Sequence, residues 1–311
     1  VYEYAQLGAF RILDLDEFIA GHGTVRIVTT IDCKIRPRSF PLVDLLGKDR
    51  AYLEVVDGPF EGERWEVSGV QAWGDRISLA VDHAANTRQG ALPQLAGQKV
   101  VVRPHVTLGQ VFGRAGESVF VGSSSPKETN RIWFFEIGKL APYHFAAIEN
   151  NGRALGWSRW GDLSRFWDDR PIFPGEGFFA ELRQDHGVSL FLHGEVRHNR
   201  LTVPLRVGAN FVAPGFPGRQ SFAGLGLTPL HGFAASRFPE MADQAFLWNG
   251  TGFDSYFLFG DSGEGSRWVR STGDQSIDYS SSPFIGHDEG YFLHMTAPRR
   301  MSFSPSPSSL R

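Results

Sequence analysis

Three sets of residues in this chain have types and spacings that could do chemistry. Gly260-Asp261-Ser262-Gly263 has the form in which a nucleophilic serine sits on a tight turn beside backbone donors, with a His/Asp pair supplied from elsewhere. His193, Glu195 and His198 form the most metal-like cluster. Asp162, Asp168 and Asp169, between Trp160 and Pro174, could offer carboxylates to calcium or act as a paired acid and base. Tryptophan supplies a fourth set: Trp133, Trp157, Trp160, Trp167, Trp248 and Trp268 gather in the second two thirds of the chain, where exposed rings could carry a sugar or anchor a protein interface.

Each set meets a plainer explanation. The serine tetrapeptide occupies the place of Asn150-Asn151-Gly152 in an earlier, similar stretch that has no serine, and His83-Ala84-Ala85 lacks the order and the cysteine that would accompany a catalytic histidine. A hairpin turn of residues tolerant of left-handed backbone explains it. On a strand, alternation puts His193, Glu195 and Arg197 on one face and His198 on the other, which separates the two histidines and points to surface imidazoles. The aspartates lack EF-hand spacing, and acidity persists around Asp274 and Asp278, so a solvated loop is expected, with calcium the one cofactor left open. No catalytic residue and no committed metal ligand emerges. Of the tryptophans, Trp157 and Trp268 recur at matched positions and read as core plugs, whereas Trp160 and Trp167 lie on a polar loop and are the candidate ligand platform. No phosphate loop, dinucleotide fingerprint or metalloprotease motif is present.

The elements that must position these residues are written twice. Tyr143-His144-Phe145 and Gly175-Glu176-Gly177-Phe178-Phe179 return as Tyr256-Phe257-Leu258 and Asp288-Glu289-Gly290-Tyr291-Phe292, 113 residues later (143 to 256, 177 to 290). Ile132-Trp133-Phe134-Phe135 returns at the same interval as Ala245-Phe246-Leu247-Trp248. An internal repeat of this kind is an architectural signal. A fainter echo links Ser39-Phe40-Pro41-Leu42 with Thr202-Val203-Pro204-Leu205.

Composition agrees with a β architecture. The 36 glycines in 311 residues exceed the usual ~7%, and 26 phenylalanines with 8 tryptophans favour short strands joined by tight turns. The expected fold is all-β, mainly antiparallel short strands in sandwich- or barrel-like domains with a few short helices. Val25 to Thr30, Ala51 to Val56, Arg64 to Val67, Arg76 to Val81 and Lys99 to Val102 read as strands. The acidic cap and helical spacing of Asp14-Leu15-Asp16-Glu17-Phe18-Ile19, stopped by Gly21, predict a short helix. Thr107 and Gln110, at capping-box spacing, predict another across Pro104 to Phe112. Expected boundaries are an N-terminal β domain with an arm over 1–121, a first repeat module over 122–200, a second over 201–300 and a tail over 301–311.

The formal charge of −3, from 34 acidic and 31 basic residues well interspersed, leaves no basic stripe for nucleic acid. No apolar run reaches the ~20 residues of a transmembrane helix. The single cysteine, Cys33, has no intrachain partner and reads as a small buried hydrophobe. A start at Val1 rather than Met suits a chain from which an export signal has been removed.

Several motifs also carry a resemblance: Phe40-Pro41-Leu42, Gly58 with Gly62 ahead of Trp65, Arg103-Pro104-His105 leading into Thr107-Leu108, the stretch Asp243 to Trp248, and Pro174-Gly175-Glu176-Gly177-Phe178-Phe179. Over most of residues 25 to 295 the chain resembles a large paralogous family of exported, functionally uncharacterised proteins of verrucomicrobial bacteria. It departs from that pattern at Asn130, where the lead strand usually begins with Asp. The resemblance implies an upstream signal peptide and a β-rich extracellular product, and it transfers no catalytic residue.

The function expected on these grounds is structural, with no enzyme activity: an exported protein that joins copies of itself head to tail into a filament, tube or surface layer. Tyr2, Tyr4 and Phe10 in the N-terminal arm, and Phe303 and Leu310 near the C-terminal end, are the interface candidates, since a strand-like arm can extend an exposed sheet edge. The alternative is a secreted module that binds a glycan or a partner protein through Trp160 and Trp167. A hydrolase ranks third and needs two convergent carboxylates.

Overall fold

The computed structural model describes residues 10–20, 26–34, 50–73, 76–82, 98–114, 118, 120, 122, 123, 125, 127–148, 154–162, 164–183, 199–213, 218–260, 265–282, 285, 286 and 289–304. The chain is all-β in class, with mainly antiparallel strands, and it divides into two compact units. One unit comprises residues 1–105 and 196–204, the other 106–195 and 205–311, so the boundary expected near residue 121 lies inside the second unit. Among the described residues no helix is long and apolar enough to cross a membrane.

The first unit is a closed six-stranded barrel. Its strands are β1 (Phe10–Ala20), β2 (Arg26–Lys34), β3 (Ala51–Val55), β4 (Arg64–Trp73), β5 (Arg76–Asp82) and β6 (Lys99–Pro104), in the order β1-β2-β5-β4-β3-β6. The segment expected to be helical around residues 14–19 is instead part of β1. A helix cap is worth about 1 kcal/mol, whereas β1 runs in register with β2 from Arg11↔Lys34 to Ala20↔Arg26 and closes the barrel through Phe10↔Val100. Tertiary pairing outweighs the local signal. Ala51, Leu53, Val55, Trp65, Leu79, Val100 and Val102 are buried in this unit.

Burial on β3 extends to Tyr52 and Glu54, which alternate with the barrel-core residues. Residues 199–202 reach this part of the unit: Asn199 Nδ2 donates to Glu54 at 3.0 Å and Arg64 to the Thr202 carbonyl at 3.0 Å. Gly62 makes that approach possible, since it has φ +86° and a Cβ there would stand 2.7 Å from the Arg200 carbonyl oxygen.

The second unit opens with β7 (Val106–Thr107) and α1 (Leu108–Phe112). The helix has the expected capping box, in which the Thr107 hydroxyl accepts from Gln110 N–H and the Gln110 side chain accepts from Thr107 N–H. Next come β8 (Arg131–Glu136), β9 (Lys139–Ile148), β10 (Ala154–Arg159), β11 (Pro171–Ile172), which pairs with β7, and β12 (Phe178–Glu181). The strand β13 (Leu201–Leu205) straddles the boundary between units, and β14 (Gly208–Val212), β15 (Gln244–Trp248), β16 (Phe253–Phe259), β17 (Arg267–Arg270), β18 (Tyr291–Met295) and β19 (Arg299–Phe303) follow.

Two sheets dominate this unit, in the orders β12-β8-β9-β10 and β14-β18-β15-β16-β17. Adding 113 to a pairing in the first gives a pairing in the second: Arg131↔His144 becomes Gln244↔Phe257, and Phe134↔Phe178 becomes Leu247↔Tyr291. At the third strand Phe145↔Trp157 corresponds to Leu258↔Trp268, whose partners are two residues closer in sequence.

Both tryptophans are fully buried, as core plugs must be. Trp157 packs against Phe112, Phe120 and Phe145 and donates its indole N–H to the Gly113 carbonyl; Trp268 packs against Phe222 and donates to the Leu227 carbonyl. The two Gly-Glu-Gly-like motifs gain a physical reason as well. Glu176 accepts from Phe173 N–H and Glu289 from Gly286 N–H, each glutamate closing the turn three residues ahead of it. Asn130 and Asp243 open the lead strands alike, accepting from Arg183 N–H and Thr296 N–H. Phe211 of β14 is stacked at 4.5 Å on its cross-strand partner Phe292 and at 4.5 Å on Phe179 of the other sheet, two residues that are themselves 113 apart.

Candidate functional site

One cross-strand row in the first sheet differs in character from everything around it. The pairings Ser158↔His144, Arg131↔His144 and Glu181↔Arg131 set four polar side chains in line across β10, β9, β8 and β12, on the face opposite Ile132, Phe134, Tyr143 and Trp157. His144 is 1% exposed and Ser158 0%. Among the described residues neither the His144 Nδ1 nor the Ser158 hydroxyl has a hydrogen-bond partner. A buried polar group left unmatched costs about 1–3 kcal/mol, so two adjacent ones are a substantial burden on the fold.

The rest of the row is tied together. Glu181 accepts from the Trp133 indole N–H at 2.9 Å and lies 3.5 Å from Arg131 and 2.6 Å from Arg183. The Arg131 guanidinium stands between two indoles, 5.2 Å from the Trp160 ring and 5.9 Å from that of Trp133. Trp160 meets His144 edge to face at 6.3 Å. Its own backbone N–H donates to the Pro142 carbonyl, and Gly161 turns the chain away immediately afterwards at φ +85°. Trp160 is thereby fixed beside the row while 45% of it faces solvent. Burial, reinforced by the charge of Arg131, pulls His144 below its ordinary value, so the imidazole is neutral at neutral pH.

The corresponding row of the second sheet is an internal comparison. Val269↔Phe257, Gln244↔Phe257 and Gln244↔His294 place valine, phenylalanine, glutamine and histidine where the first sheet has serine, histidine, arginine and glutamate. Phe257 and Val269 are fully buried there with Ala242 in an ordinary apolar cluster. The same strand arrangement therefore accepts apolar side chains at both positions where the first sheet buries unmatched polar ones.

A second charged cluster lies on the other face and is fully used. Arg170, buried against the Phe134 ring at 3.4 Å, bonds both Glu136 and Glu176, and Arg159 joins Glu136 at 2.8 Å. The Tyr143 hydroxyl donates to Glu136 at 2.8 Å and is pushed up to about 12 by burial and by that carboxylate. This network ties Arg170 and Glu176 to β8, β9 and β10, and its described side chains are paired with one another.

The residues singled out from sequence are dispersed. Trp160 borders the polar row, but Trp167 contacts Tyr143 and Arg165 and packs on the core of the opposite face, so the two do not form one platform. Asp162 caps its own turn by accepting from Ser164, and Asp168 accepts from Trp157 N–H while burial raises its pKa. Asp274 and Asp278 cap turns at Ser276 and Ser280 in the same way. Phe10 begins β1, and Phe303 is buried in β19. Tyr2, Tyr4, Leu310, the histidines at 193 and 198, Glu195, Asp261, Ser262 and Gly263 lie outside the described residues. Ser158, His144, Arg131 and Glu181 were not anticipated. The available signal was the polar His144 at the place of Phe257 in two tripeptides that share their first residue, Tyr143 and Tyr256, and are apolar at the third. No family model, curated protein or solved structure matches the chain.

Proposed function

We propose that this chain is a ligand-binding β protein whose site is the row Ser158–His144–Arg131–Glu181 beside Trp160, in a scaffold built from two copies of one sheet unit. The observation that carries this reading is the pair of buried groups at His144 and Ser158, unpartnered among the described residues, where the second sheet has phenylalanine and valine. A fold with no use for these polar atoms loses stability by keeping them, and binding sites hold such groups ready for a ligand. The extracellular setting implied by the family resemblance belongs to the same proposal. A thermal-shift screen of small polar ligands tests it: hits should raise the melting temperature of the native chain and leave His144→Phe/Ser158→Val unmoved. Equal shifts in both proteins would place binding elsewhere.

A second reading, self-association into an extracellular assembly, is favoured by Trp248 and Phe253. These two rings lie 5.1 Å apart at one end of the second sheet, and each is about half exposed. Sedimentation of the native chain against Trp248→Ser/Phe253→Ser tests this reading. It expects large species from the first alone, and a monomer in both cases would exclude this surface.

A further inference from the structure

The β8–β9 and β15–β16 hairpins match in length and differ in what they expose. Phe135↔Leu140 and Trp248↔Phe253 are corresponding pairs, 113 residues apart, and each encloses four residues, 136–139 and 249–252. In the second hairpin these four are polar or glycine, and the Asn249 side-chain oxygen accepts from Thr251 N–H and Gly252 N–H. In the first, Glu136 pairs with Lys139, which leaves Ile137-Gly138 as a two-residue turn with φ +50° and +77°. Such a turn favours Asn-Gly, because a β-branched side chain is strained at positive φ. Ile137 occupies it all the same, 93% exposed, so its side chain adds nothing to the core.

The second sheet carries the complementary feature. Trp248 and Phe253, at the places of Phe135 and Leu140, are inclined at 66° to each other and about half exposed. Phe179 and Phe292 back them, at 6.3 and 5.6 Å from Phe253. Those two phenylalanines belong to the seam that already joins the sheets. Phe135 meets Phe292 at 5.3 Å, and the corresponding residue Trp248 meets Phe179 at 6.5 Å. The exposed rings therefore continue an existing sheet-to-sheet interface, and Ile137 of the same chain, being exposed, does not cover them.

We infer that Ile137 of one copy packs between Trp248 and Phe253 of the next. This rests on the second reading above, self-association through those rings, and adds the residue that fills them. A knob on one sheet and its seat on the other make a head-to-tail contact, which propagates unless its rotation closes a ring.

Sedimentation of two complementary variants is the test. Ile137→Asn keeps the seat and loses the knob, whereas Trp248→Ser/Phe253→Ser keeps the knob and loses the seat. The native chain should form species larger than a dimer, each variant alone should stay monomeric, and an equimolar mixture of the two should give a 1:1 complex that grows no further. Ile137→Asn should also unfold at a higher denaturant concentration than the native chain, because asparagine suits the turn, so its lost association would not reflect a damaged fold. Native-like association of Ile137→Asn, with Trp248→Ser/Phe253→Ser monomeric, overturns the knob and leaves the aromatic surface standing. A mixture that stays monomeric overturns the head-to-tail contact. A native chain that is monomeric at every concentration overturns this inference and the self-association reading together.

Discussion

His144 and Ser158 face each other across β9 and β10, both buried, and neither the imidazole Nδ1 nor the hydroxyl has a hydrogen-bond partner among the described residues. In the second sheet the cross-strand pair Phe257↔Val269 has apolar side chains at the two corresponding places. That contrast separates what the fold requires from what it merely carries.

The first consequence is a pH dependence. His144 is held below its ordinary value of 6.5, by burial first and by Arg131 second. Between the folded value and 6.5 the unfolded chain binds the extra proton, so the stability is fully present above 6.5 and is lost as the pH falls through the folded value. The native chain should lose stability on going from pH 7 to pH 5 more steeply than His144→Phe, by at most about 1.4 kcal/mol per pH unit. Parallel profiles for the two proteins would contradict the assigned environment.

Trp157 and Trp268 should prove equivalent. Each is fully buried and donates its indole N–H to a backbone carbonyl, at 3.0 and 2.6 Å. Replacing either by alanine is expected to cost about 3–5 kcal/mol in urea unfolding. A loss under about 1 kcal/mol at one position alone would mean that the two sheets use this landmark differently.

Arg170 should behave as a buried counter-ion. Its removal leaves Glu136 and Glu176 facing each other without it, so Arg170→Ala is expected to destabilise the chain by about 3–5 kcal/mol. The triple change Glu136→Gln/Arg170→Met/Glu176→Gln should recover much of that loss, because the buried guanidinium and both of its carboxylates are then gone and the Arg159 charge that remains is a third exposed. A triple variant as unstable as the single one would show that packing, not charge, is at stake.

Much of the architecture is legible in the sequence because its signals are local and periodic. The alternation in β4 and β5 and the capping box at Thr107 and Gln110 both depend on neighbours within a few residues. The segment 14–19 misleads for the same reason: its helix signal is local, and the pairing that overrides it comes from β2 and β6. The site is hidden for a related cause. Arg131, His144, Ser158 and Glu181 span fifty positions (131 to 181) and meet only through cross-strand register. Trp160 and Trp167 look alike in a polar loop, yet one lies by His144 and the other by Tyr143, adjacent residues that point to opposite faces of β9.

The most direct measurement is equilibrium urea unfolding at pH 7 of the native chain against His144→Phe/Ser158→Val, with Ser158→Ala as a smaller change that cannot overpack. If these polar groups serve a ligand and not the fold, the double variant keeps its β-sheet signature and is as stable as the native chain, or more stable by up to about 2 kcal/mol. A loss of about 2 kcal/mol or more in both variants would show that the row holds the sheet together, and would contradict the account.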